Sequence, residues 1–190
     1  MEACRDKRVT AGILTAKGIP TPRIIPQPDS FPFVIKSPVG SKGEEVFLVE
    51  DAEQLAVARE HLRGLEPFCQ EYIATSCGRD IRVWVIGGEV VGGLLRSNEH
   101  SFKSNFAQGG NASSIILPQE VKELAVAATE ALGLDFAGVN ILFGGGENPP
   151  YLVCEVNGNA GFRTASIVGG MDIPLSLAAY VDKILRCPYI

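Results

Sequence analysis

The stretch that most constrains the fold is Tyr151-Leu-Val-Cys-Glu-Val-Asn-Gly-Asn-Ala-Gly-Phe-Arg163. It begins as an apolar strand over 151–156 and then turns abruptly polar. Strand side chains alternate with a period of two, so Glu155 and Asn157 share one face and Cys154 takes the other. A carboxylate beside an amide carbonyl at a strand end is a hard oxygen site of the kind Mg2+ prefers. Gly158 and Gly161 then allow a tight turn or a close approach to a ligand. Taken alone, the stretch also reads as a plain strand followed by a polar turn.

A second polar intrusion lies in the apolar strand Gly138-Val-Asn-Ile-Leu-Phe143. A buried amide needs partners, so Asn140 must be hydrogen-bonded or face a metal. Leu142, two residues on, shares its face and is placed to lie under a flat base. If 138–143 and 151–157 pair as a hairpin, Asn140 comes close to Glu155 and Asn157. Elsewhere Lys36 ends the apolar strand Phe33-Val-Ile-Lys36, and Ser37-Pro-Val-Gly-Ser-Lys-Gly43 follows at once. Backbone N–H groups around Gly40, Ser41 and Gly43, with the Lys42 ammonium, suit phosphate oxygens. No P-loop pattern is present, and an ordinary hairpin turn with a solvated lysine fits the same residues.

Composition narrows the class. Apolar residues make up 46% and charged ones 21%, and no apolar run approaches membrane-spanning length. Five scattered cysteines without a C-x-x-C argue for reduced thiols, against a disulfide framework and against zinc. Cys4-Arg-Asp-Lys-Arg8 interrupts any signal-peptide pattern, so a cytoplasmic location is expected. A net charge of −5 gives no global attraction to nucleic acid, and neither a nucleic-acid partner nor a membrane is expected.

Along the chain, residues 4–17 read as a helix stopped by Gly18, and 21–30 as a proline-rich linker. Strands are expected at 33–36 and 46–49, then a helix capped by Asp51 with Gln54 at the capping-box position. Residues 67–73 read as a connection between lobes, and 81–86 with 90–95 as a hairpin turning at Gly87-Gly88. The polar run 97–113 reads as a functional loop, and 118–132 as a helix ending at Gly133. Strands at 136–143 and 151–156 follow, and a final helix near 174–185 is expected to close the core. The pattern is α+β in two lobes: 1–30 as helix and linker, 31–73 as the smaller lobe, 74–190 as the larger.

The ordered set Phe33-Val-Ile-Lys36, the Gly-rich hairpin, Gln70-Glu-Tyr-Ile73, Gly78-Arg-Asp-Ile-Arg82, Phe102-Lys-Ser-Asn105, Ala137-Gly-Val-Asn140 and Glu155-Val-Asn157 resembles the ATP-grasp superfamily. Within it, the likeness is to RimK-type carboxylate–amine ligases, along nearly the whole chain. The resemblance implies two α+β lobes clasping a nucleotide between antiparallel sheets, with ATP and one or two Mg2+ (or Mn2+) as cofactors. It implies that Lys7, Lys36, Ser41, Lys42 and Gly43 hold phosphates and that Gln70, Glu71, Tyr72 and Ile73 read the adenine edge. Asp80 would meet the ribose, and Lys103, Ser104 and Asn105 would reach in from the loop. Asn140, Glu155 and Asn157 would hold metal. Arg96 and Arg82 would act at the transferring group, and Arg163 with Asn159 on substrate.

The implied reaction is attack of a carboxylate on the γ-phosphate to give an acylphosphate, from which an amino-acid amine displaces phosphate. The acceptor would be a peptide, a protein C-terminus or a carrier. Two departures from the family pattern matter. Asn140 stands where an aspartate is usual, which removes one negative charge. The family's N-terminal domain, expected ahead of the helix near Cys4, is not in this sequence. The chain is therefore expected to be a fragment, a stand-alone form or one half of a split enzyme whose separate partner supplies that domain; a homo-oligomer is what the resemblance implies. The alternative is an ATP-binding protein with weak or no ligase turnover.

Overall fold

The structure is a computed structural model that describes residues 4–40, 43–104 and 109–186. Helix α1 (Lys7–Ala16) starts three residues later than the sequence suggested. The Asp6 carboxylate accepts from the backbone N–H groups of Arg8 and Val9 and so caps the helix there. The proline-rich stretch is not a bare linker: it contributes an edge strand, β1 (Ile24–Ile25). Its neighbours are β2 (Phe33–Lys36), β3 (Val46–Val49) and β4 (Phe68–Glu71), in the antiparallel order β1-β4-β2-β3. The prolines around β1 sit at a sheet edge, where a missing N–H costs no ladder bond. Helix α2 (Ala52–His61), capped by Asp51, covers one face through a core of Phe33, Ile35, Val49, Ala58 and Leu62. The alternate residues of β2, Val34 and Lys36, point the other way, into a cleft.

The larger sheet contains β5 (Arg79–Ile86), β6 (Glu89–Ser97), β7 (Asn111–Ser114), β8 (Phe136–Phe143) and β9 (Tyr151–Asn157). Its order is β7-β6-β5-β8-β9, antiparallel throughout. The polar run 97–113 was read as loop, yet β7 at its end pairs with Leu94–Ser97. Asn-Ala-Ser-Ser has no apolar alternation to announce a strand; the ladder alone makes it one. Helix α3 (Gln119–Ala131) packs on one face, where Ile81, Val83, Val139, Ile141 and Val156 meet Val121, Ala125 and Leu14 of α1. On the opposite face β5 is polar at its start, with Asp80 and Arg82, and apolar further along, with Trp84 and Ile86.

The apolar half is covered by α4 (Arg163–Gly169) and α5 (Ile173–Arg186). Seven residues with β-branched Thr164, Ile167 and Val168 gave α4 no helical signature, and it ends at Gly170 with φ +62°. Helix α5 closes the core as expected, but only along part of its apolar surface. Ile173 is buried and Leu177 and Tyr180 pack against the sheet, but Leu175, Val181 and Leu185 are exposed. No single helix among the described residues is long and apolar enough to cross a membrane.

Strands β8 and β9 pair in the anticipated hairpin, with one irregularity. Ile141 is opposite Val153, but Asn140 is opposite Glu155, so Cys154 is an extra residue in β9. Val153 and Val156 face α3, while Cys154, Glu155 and Asn157 all face the cleft.

The two halves of this packing predict contrasting stability effects. Ile141→Ala, at a fully buried position, should lower the urea unfolding free energy by roughly 2–5 kcal/mol. Leu185→Ala, at a position 73% exposed, should change it by less than about 0.5 kcal/mol.

Candidate active site

The polar faces of the two sheets converge on a cleft of about 560 Å³. Among the described residues its lining holds six basic side chains, Lys7, Lys36, Arg79, Arg82, Arg96 and Lys103, against three acidic ones, Glu71, Asp80 and Glu155. A chain of net charge −5 has thus built a cationic cleft, which concentrates anions locally. Lys36 is buried at the end of β2, with its ammonium 5.4 Å from the centre of the Phe68 ring.

Two further lysines tie the Gly-rich hairpin down from opposite sides. The Lys7 ammonium donates to the Gly40 carbonyl at 2.9 Å, and its backbone N–H to Pro38 at 2.8 Å. From the loop after β6, the Lys103 ammonium donates to the Gly43 carbonyl at 2.7 Å, near the rings of Phe47 and Phe102. Burial lowers the pKa of both lysines; at Lys7 the Glu155 carboxylate pulls the other way and Lys36 adds to the lowering. Ser104 is buried in the cleft wall beside Lys103. Ser41, Lys42 and Asn105, expected to join them, lie outside the described residues.

On the floor, cross-strand neighbours form two polar groups. Asp80 is directly opposite Arg96. Arg96 Nε donates to Asp80 Oδ1 at 2.7 Å and its terminal nitrogen to Oδ2, a two-pronged buried pair. Burial works against the Arg96 charge, but attraction to Asp80, its hydrogen bonds and Glu155 outweigh it, and the pKa rises. The ribose contact expected of Asp80 meets a carboxylate with both oxygens already on Arg96.

Arg82 is opposite Asn140, which is opposite Glu155. Arg82 Nη1 donates to Asn140 Oδ1 at 2.5 Å, and Asn140 Nδ2 donates to Glu155 Oε2 at 3.1 Å. Guanidinium only donates and carboxylate only accepts, so the two partners fix which way the amide points. Burial, helped by nearby Arg96, pulls the Arg82 pKa down to about 10. The oxygen that Asn140 was expected to offer a metal is thus engaged by a cation. Asn157 spends its amide nitrogen on the Gly138 carbonyl at 3.5 Å.

Gln70, Glu71, Tyr72 and Ile73 line the rear of the cleft, with Leu142 across from them on β8. Gln70 Nε2 donates to Pro22 O at 2.6 Å, and Glu71 accepts from Asn148 at 3.3 Å, so these side chains brace the connection itself. Burial, with a hydrogen bond to Cys77, pushes the Tyr72 hydroxyl up to about 12. Asn159 lines the cleft mouth, but Arg163 is exposed and lies outside the lining; Thr164 stands there instead.

Arg79, Trp84 and Cys154 are among the lining residues that sequence reasoning did not place in the site. Arg79 donates to Thr75 O at 3.1 Å and sits over the Phe143 ring at 5.3 Å. Trp84 is core on one side and cleft wall on the other. Cys154, read as facing away, is brought in by the extra residue in β9, and burial raises its thiol pKa. Gly78, at φ +66°, turns the chain into β5 where a Cβ would lie 2.3 Å from the Asn98 carbonyl oxygen.

A family model for the RimK-like ATP-grasp domain matches residues 8–181. The chain belongs to that family. It is 34% identical over 161 residues to human N-acetylaspartylglutamate synthase A, covering 84% of this chain and 41% of that protein. It is 33% identical over 193 residues to a probable alpha-L-glutamate ligase of Histophilus somni (strain 2336), covering 94% and 64%. Among solved structures, the ATP-grasp ligase PsnB with its minimal precursor superposes at TM-score 0.69 with 27% identity, covering 94% of this chain and 62% of that one. The fold is shared with the D-alanine–D-alanine ligase of Bacillus anthracis in complex with ATP, at TM-score 0.72 and 22% identity over 97% of this chain and 67% of that one. This ATP-grasp domain therefore spans about two fifths to two thirds of the relatives it matches.

The Asp80–Arg96 pair predicts a structural penalty independent of any ligand. Asp80→Ala would strand a guanidinium whose side chain is 13% exposed, and should cost about 3–5 kcal/mol in urea unfolding without nucleotide. An unchanged unfolding midpoint would show that the pair holds nothing together.

Proposed function

We propose that this ATP-grasp domain binds Mg-ATP in the cleft and serves the ATP-driven joining of a carboxylate to the amino group of an amino acid. The observation that carries the reading is the cluster of six basic side chains around Glu155 and Asn157, in a chain of this family. Among the described residues no group of three or more His, Cys, Asp or Glu could hold a metal by itself. Mg2+ suits so sparse a set, because it keeps several waters and takes substrate phosphates as ligands. Glu155 and Asn157 would hold it, and its charge would be spread over the phosphates.

Lys36 and the hairpin secured by Lys7 and Lys103 would grip the phosphates, and Gln70–Ile73 with Leu142 would enclose the base. Arg96, aimed by Asp80, and Arg82 would neutralise charge on the transferring phosphoryl group. An acceptor carboxylate oxygen would bond to the γ-phosphorus as the bond to ADP breaks. The amine would then add to the acyl carbon, losing a proton to solvent, and phosphate would leave. The relatives named for glutamate products make glutamate the first amine to test. A second reading, nucleotide binding with little turnover, is favoured by one observation: the Asn140 carbonyl oxygen is on Arg82.

Mg-ADP at a hundred times its Kd should stabilise the domain by about 2.7 kcal/mol, read as a rise in unfolding temperature. Lys36→Met should reduce that shift while leaving the ligand-free midpoint nearly unchanged. ADP release requiring both glutamate and a carboxylate acceptor would establish ligation. A shift without release would favour the second reading, and no shift with either ATP or ADP would overturn both.

A further inference from the structure

The row Arg82–Asn140–Glu155 limits how many cations the cleft floor can accept. Three adjacent strands put these side chains side by side, and the Asn140 amide joins them, carbonyl toward Arg82 and nitrogen toward Glu155. The guanidinium is held on its other sides as well. It lies 5.8 Å from the Trp84 ring centre, and residue 138 is glycine. A Cβ there would come within 2.6 Å of one terminal nitrogen of Arg82 and 2.7 Å of its Nε. Arg82 is thus seated in a cradle made by a missing side chain and tied by a hydrogen bond, with only 9% of its surface exposed.

A divalent ion cannot take the Asn140 oxygen without pushing a like charge off it. Releasing the guanidinium would leave a buried cation without its acceptor, which is costly. At the other end of the row, the Asn140 N–H group satisfies one oxygen of Glu155 without adding charge. We propose that the cleft takes one divalent ion, at Glu155 and Asn157, because the Asn140 amide, its oxygen held by Arg82 and its N–H on Glu155, presents no free oxygen to a second. The sequence left one or two ions open; the hydrogen-bonded row selects one. This inference rests on the nucleotide-binding reading above.

The test counts Mn2+ ions by electron paramagnetic resonance in the full chain saturated with ADP, with ADP binding followed separately by calorimetry. One Mn2+ per bound ADP is expected, without the broadening of a spin-coupled pair. Asn140→Asp, which keeps side-chain shape, should admit a second Mn2+ and show that coupling, with near-UV circular dichroism confirming the fold. Asn140→Leu, which offers no metal ligand, should remain at one ion. Two ions in the unaltered chain, or one ion in Asn140→Asp at unchanged affinity, would overturn the proposal while leaving nucleotide binding intact. Absence of ADP binding with or without Mn2+ would instead overturn the nucleotide reading, and this proposal with it.

Discussion

One extra residue in β9 decides which way the site faces. Tyr151 and Val153 belong against α3, and strict alternation from them would turn Glu155 into the same apolar core. A carboxylate there would have to be neutralised or paired, at a cost of several kcal/mol. The irregularity at Cys154 shifts the phase, so that Val156 returns to the core while Glu155 and Asn157 open into the cleft. Core residues and the polar pair Glu155 and Asn157 can then share β9, which strict alternation from Val153 would not allow. Bulges commonly re-aim a side chain in this way next to functional sites.

The rest of the floor follows from the antiparallel registers. Because Asp80 is opposite Arg96, and Arg82 opposite Asn140, each buried cation finds its acceptor one strand away. These contacts are short and leave no buried side-chain polar atom unpartnered among the described residues. The roof has a different character. The Gly-rich hairpin has glycines at positive φ, and two lysines from distant segments hold it by its carbonyls. Ammonium groups on long stems can exchange a carbonyl for a phosphate oxygen at little conformational cost. The floor is therefore pre-set, while the roof is held by bonds that an arriving anion can replace.

Much of this is legible in the sequence. The strands at 33–36 and 46–49, the 81–86 hairpin, the Asp51 cap and the meeting of Asn140 with Glu155 all follow from local signals. Segments without such a signal were misread. The strand at 111–114 is polar throughout, α4 is short and β-branched, and β1 hides among prolines. In each case a neighbouring strand or sheet face supplies the order that the segment lacks by itself. The terminal helix shows the converse: its apolar periodicity is strong, yet Ile173, Leu177 and Tyr180 pack against the sheet while Val181, Ile184 and Leu185 are exposed.

The sequence by itself determined the inventory: a family, two sheets, a lysine-rich clasp and a hard-oxygen strand end. Those features depend on residue types at fixed spacing, which the chain carries locally. Only the tertiary structure decided how the inventory is connected. Asp80 is joined to Arg96, Asn140 is turned toward Arg82, Cys154 faces inward, and Arg163 stands outside. The reason is physical. A side chain's type can be read from its own position, but a hydrogen bond belongs to two positions, and strand register decides which two meet.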